Sequence, residues 1–122
     1  MCYPYGLIEL AEYLDERGRS ALGRWKASLD GVTRACVDKA IFRLGQGNLS
    51  SLKGVGDGVL EMRLDFGPGV RVYVARDGET LIILLGGGTK HRQEEDIETA
   101  KIRWKHYKER KRIDEPTDTP VL

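Results

Sequence analysis

Two short stretches around Gly67-Pro68-Gly69 constrain this chain more than any other feature. Before the turn, Leu60, Met62, Leu64 and Phe66 alternate with Glu61, Arg63 and Asp65. After it, Val70, Val72 and Val74 alternate with Arg71, Tyr73 and Ala75. A period of two places the apolar members on one side of a strand. A tight glycine-proline turn between two such strands makes a hairpin. If the turn closes symmetrically, Phe66 faces Val70, Asp65 faces Arg71 and Arg63 faces Tyr73. Asp77-Gly78 supplies a second hairpin turn. After Thr80, residues 81–85 are continuously apolar, as in a strand buried on both faces, and Gly86-Gly87-Gly88 is expected to end it.

The remaining pattern is mostly helical. Residues 7–14 read as an opening strand and 15–19 as a loop. Ser20 is a helix cap before Leu22, Trp25 and Leu29. Asp30 caps a second helix carrying Val32, Ala35, Cys36, Ala40, Ile41 and Leu44, stopped by Gly45 and Gly47. Residues 48–58 read as a glycine-rich loop holding Lys53. A last helix is expected from about Arg92 to about Arg112, with an apolar stripe of Ile97, Ala100, Trp104 and Tyr107. Its first turn carries Glu94, Glu95 and Asp96, which the helix dipole favours. The expected class is α+β in the order β-α-α-β-β-β-α, as one domain over residues 1–112. Residues 113–122, with Pro116 and Pro120, are expected to form a disordered tail.

Composition and motif spacing argue against several function classes. Apolar residues make up 40% and charged residues 32%, a globular balance, and the net charge is only +1. Bulk charge therefore gives no attraction to a polyanion, and any nucleic-acid argument must rest on local clustering. Cys2 and Cys36 form no paired motif, which favours a reducing compartment. No secretory leader is visible, and the longest apolar run, residues 81–85, is far too short for a bilayer. A cytoplasmic protein with no membrane contact is the expectation. His91 and His106 stand apart without cysteines nearby, so no metal site is expected. Gly86-Gly87-Gly88-Thr89-Lys90 lacks the spacing of a nucleotide-binding loop. Ser50-Ser51 sits in no nucleophile-elbow motif.

One surface retains chemical interest. If helices cover the apolar side of the hairpin, the other side is left open with Glu61, Arg63, Asp65, Arg71 and Tyr73. Arginines on a rigid sheet suit phosphate, because the guanidinium is always charged and offers a planar fork of donors. Lys53 and Lys90 would border that platform. Pattern alone favours a plainer outcome, a solvated face with an Asp65–Arg71 surface pair. The basic residues of the last helix, Lys101, Arg103, Lys105, Lys108, Arg110, Lys111 and Arg112, are likewise either a solvated face or an RNA-backbone contact.

A series of motifs in order decides between these readings. Gly47-Asn48 is followed by Lys53-Gly54-Val55-Gly56-Asp57-Gly58-Val59-Leu60-Glu61-Met62-Arg63 and by Gly67-Pro68-Gly69-Val70-Arg71-Val72-Tyr73. Leu84-Leu85-Gly86-Gly87-Gly88-Thr89-Lys90-His91-Arg92-Gln93 comes next, then Asp96-Ile97 and Ala100. Over roughly residues 7–110 this resembles the addiction-module killer proteins, a HigB-like branch of the RelE/ParE toxin superfamily. The resemblance implies two N-terminal helices packed on a small antiparallel sheet, with a C-terminal helix. It implies a partner antitoxin, usually of helix-turn-helix type, and the toxin role of a type II toxin–antitoxin pair.

RelE-like toxins cut mRNA on the ribosome, the RNA 2′-hydroxyl attacking its own neighbouring phosphate. Neither cofactor nor metal is needed. By resemblance Arg71 stabilises the transition state, Arg63 is a second basic group, and Lys90 or His91 fills the basic position after the glycines. Lys53, Tyr73 and Arg92 stand around them as RNA contacts. The alternatives are a ParE-like inhibitor of DNA gyrase acting by binding, and a decayed toxin that only binds its antitoxin. On the open-face reading, Arg71→Ala abolishes toxicity and leaves the fold intact.

Overall fold

A computed structural model describes residues 7–114. Strand β1 (Glu9–Glu12) leads into helices α1 (Ala21–Ala27) and α2 (Gly31–Gly45). Four strands follow, β2 (Leu52–Gly56), β3 (Val59–Leu64), β4 (Val70–Arg76) and β5 (Leu81–Thr89). A 3₁₀ turn (Lys90–Arg92) then opens α3 (Gln93–Asp114). The caps fall where the hydroxyl and carboxylate suggest. Ser20 Oγ accepts from the Gly23 amide at 2.9 Å, and Asp30 Oδ1 accepts from the Thr33 amide at 2.7 Å.

The sheet order is β1-β5-β4-β3-β2. It is mixed rather than wholly antiparallel, because β1 pairs in parallel with β5. β2 lies where a loop is expected. Its sequence, Leu-Lys-Gly-Val-Gly, is short, hydrogen-bonds to one neighbour only and shifts register between Gly54 and Gly56, so it carries little strand signal. The hairpin register also differs from the symmetric expectation. Leu64 pairs with Val70, Arg63 with Arg71 and Glu61 with Tyr73, because the connection is longer and takes in Asp65 and Phe66. A two-residue slip keeps every side chain on its own face while changing its partner.

Apolar residues cover both faces of this sheet. Leu22, Val37 and Leu44 from α1 and α2 pack on Met62, Val70, Val72, Val74, Ile82 and Leu84. On the opposite face Ala100 and Trp104 from α3 pack with Val59, Tyr73, Ala75, Ile83 and Leu85. The side expected to stay open is therefore largely covered by the last helix. β5 does not stop at its glycines but runs through them to Thr89. Ile113 and Asp114 close α3 rather than starting a tail, whereas residues 115–122 and Cys2 lie outside the described residues. Among the described residues no helix is long and apolar enough to cross a membrane.

Candidate functional site

Glu61 organises the end of the α3-covered face. Its side chain is 1% exposed. Oε2 accepts from Gln93 Nε2 at 2.8 Å and from the Tyr73 hydroxyl at 3.2 Å, and Oε1 accepts from Arg63 Nε at 3.2 Å. Arg71 Nε lies 3.5 Å from Oε2, close enough for an ion pair but without a hydrogen bond. The Arg71 side chain is fixed elsewhere, by Nη1 donating to the Gly69 carbonyl at 2.8 Å. That contact explains the glycine: at φ +81° a side chain is strained, and a Cβ would meet Arg71 Nη1 at 3.0 Å.

Sheet register brings most of the expected residues together. Lys53, Glu61, Tyr73 and Gly86 form one row across β2, β3, β4 and β5, and Arg63, Arg71 and Gly88 form the next. Two arginines directly opposite repel, and Glu61, diagonal to Arg71 and bonded to Arg63, offsets this. Lys90 joins the group from the 3₁₀ turn, its Cβ 3.1 Å from where a Cβ on Gly69 would stand. Lys53, Arg63 and Lys90 are exposed, while Arg71 is only 7% exposed. His91 is exposed on the same turn and makes no side-chain hydrogen bond or ion pair among the described residues. Arg92 is drawn away to Glu95 at 2.7 Å.

The expected open platform is thus corrected. Arg71 and Tyr73 are buried, and Asp65 does not pair with Arg71; Glu61 does. Burial, followed by the Glu61 charge, raises the Tyr73 hydroxyl above its usual range, so it donates as a neutral phenol. The sequence assigns no role to Glu61 or Gln93. Alternation places Glu61 on the right face, but nothing local shows that the start of α3 will close over it. Among the described residues no group of three or more histidine, cysteine or acidic side chains is placed to hold a metal.

No protein-family model matches the chain. An uncharacterized protein of Haemophilus influenzae is 40% identical over 79 residues, spanning 64% of this chain and 80% of that one. The chain belongs to that protein's family. Among solved structures, a double mutant of the E. coli toxin RelE in the free state superposes with a TM-score of 0.56. The match covers 80% of this chain and 97% of that one at 15% identity. The chain therefore has a RelE-like fold.

Proposed function

We propose that this chain is a RelE-type toxin, an endoribonuclease that cuts mRNA on the ribosome without a metal and is held in check by a helix-turn-helix antitoxin. One observation carries the reading. Arg71 is set by Gly69 and Glu61 beside exposed Arg63 and Lys90, its Nε ion-paired with Glu61 but without a hydrogen bond. A phosphate held by exposed Arg63 and Lys90 would lie beside the Arg71 guanidinium. In the reaction the RNA 2′-oxygen forms a bond to phosphorus as the bond to the 5′-oxygen breaks, leaving a 2′,3′-cyclic phosphate. The 2′-hydroxyl gives up its proton to solvent or a nearby base and the 5′-oxygen takes one up, so no net proton is consumed. Negative charge builds on the phosphate oxygens, where preorganised cations stabilise it. Arg71 and Arg63 are assigned that role, with Lys90, which packs beside Gly69 and Arg71, favoured over His91 as the third basic group. Lys53 and Arg92 border the path of the strand, buried Tyr73 supports it only through its bond to Glu61, and the antitoxin would mask Arg63 and Lys90.

The burial of Arg71 favours a second reading, a protein that binds its antitoxin or gyrase and cuts nothing. Purified protein with ribosomes and mRNA separates the two. Cleavage that persists in EDTA with ribosomes intact, and falls on the order of 10²–10³ in Arg71→Lys, supports the nuclease. Intact mRNA with folded wild-type protein, or cleavage unchanged in Arg71→Lys, would sink it.

A further inference from the structure

β1 pairs with β5 only as far as Leu84, so no described strand covers the outer edge of Gly86, Gly87 and Gly88. A cleft of about 260 Å³ opens along that edge between α1 and α3, lined by Trp25, Gly86, Gly87, Arg92, Asp96 and Arg103 among others. The glycines make room for it. The Trp25 ring occupies the space of a Cβ on Gly87, the Asp96 carboxylate that of a Cβ on Gly88, and Arg103 Nη1 lies 2.5 Å from a Cβ on Gly86. Asp96 and Arg103 are seven residues apart on α3 and share a helix face. Arg103 is anchored by Nη1 donating to the Leu85 carbonyl at 2.9 Å. Asp96 is half-buried, yet its carboxylate makes no hydrogen bond or ion pair among the described residues. A partly desolvated carboxylate without a protein donor is held less favourably as an anion, and burial accordingly raises its pKa.

We propose that this cleft is a base-recognition pocket that takes one guanine of single-stranded RNA. Trp25 lies against the base, Asp96 accepts from N1–H and the N2 amino group, and Arg103 donates to O6. Unpaired bases are commonly read by an aromatic face together with hydrogen bonds to the Watson–Crick edge. Guanine alone offers two adjacent donors to one carboxylate with an acceptor beside them. Adenine would set its N1 lone pair against Asp96, and uracil flanks its single N–H with two acceptors. The pocket adjoins the basic cluster, since Tyr73 lines the cleft and donates to Glu61. Tyr73 is also the register partner of Gly86, as Arg71 is of Gly88. A phosphate at Arg71 therefore leaves a neighbouring base one strand spacing, about 5 Å, from the cleft.

The inference rests on the RNA-cutting reading, but its test does not depend on cutting. Guanosine, inosine and adenosine 5′-monophosphates are titrated into ¹⁵N-labelled protein, so that the phosphate is common to all three. Guanosine monophosphate should shift the Gly86, Gly87 and Gly88 amides and the Trp25 indole at roughly tenfold lower concentration than adenosine monophosphate. Inosine monophosphate, lacking the N2 amino group, should fall between. Asp96→Asn should remove the preference for guanosine monophosphate over adenosine monophosphate while keeping the native spectrum. Equal binding of the three nucleotides by wild-type protein, or shifts confined to other surfaces, overturns the pocket. Guanine-selective shifts from a protein that cuts no RNA uphold the pocket and count against the nuclease alone.

Discussion

Glu61 has given up water for Arg63, Tyr73 and Gln93, with Arg71 as its buried counter-ion. Removing one member of such a pair strands the other charge in a medium that solvates it poorly. Glu61→Gln should therefore cost about 3 kcal/mol in denaturant unfolding. The same argument reverses the sequence expectation that Arg71→Ala is harmless to the fold: it too should destabilise, which makes Arg71→Lys the cleaner test of chemistry. Asp96 runs the other way. Its carboxyl is raised by burial, with Arg92 opposing and Glu95 assisting. A raised folded value stabilises the fold only where the group is protonated, fully below the ordinary value and lost as pH rises through the folded one. Asp96→Asn should then raise the melting temperature at pH 7, and the gain should vanish toward pH 3. A variant that melts lower at pH 7 would mean that the carboxylate has a partner after all. Alternation made the faces of Glu61, Arg63 and Arg71 legible in the sequence. It could not show which of them a distant helix would bury, because that contact spans more than thirty positions.

At the scale of elements, β5 is where reading and structure part. Three glycines in a row signal a strand end when only backbone propensity is weighed. Here they are strand, because each removes a side chain that a helix would otherwise strike. Gly87→Ala should force the Trp25 ring off the sheet and cost about 1–3 kcal/mol, as overpacking does. In a double-mutant cycle with Trp25→Ala most of that loss should disappear; undiminished loss would place the strain in the backbone instead. The far end of α3 is tied to the β4–β5 turn, where Asp77 accepts from Lys111 Nζ at 2.8 Å and from the Tyr107 hydroxyl at 2.7 Å. These bonds, Lys111 first, hold the Asp77 carboxyl below its ordinary value. Burial and then Asp77 push the Tyr107 hydroxyl up to about 12. A lowered carboxyl stabilises above its unfolded value and loses that contribution as pH falls through the folded one. Amide exchange in the last turns of α3 should therefore quicken below about pH 4, and Asp77→Asn should show the fast exchange already at neutral pH. The tie was hidden in sequence for a local reason: Tyr107 belongs to an apolar stripe, and Asp77 reads as turn chemistry.

For the whole molecule, the two apolar clusters share one sheet, so neither helical layer has a core of its own. Unfolding should be a single transition, with fluorescence of Trp25 on one side and Trp104 on the other reporting the same midpoint. Separated midpoints would mean that α3 detaches first. The α+β class and the order of the larger elements were readable from periods of two and 3.6. The fifth strand, the parallel edge and the second covered face were not, since each is decided by pairing between segments far apart in the chain. The bare edge of β5 also constrains how such a chain can drift. Gly86, Gly87 and Gly88 hold their places only because Arg103, Trp25 and Asp96 fill the vacated space. A change in any one of these six is expected to survive only with a change in its counterpart, so across descendants the three glycine–helix pairs should be inherited as linked units even where the surrounding sequence turns over.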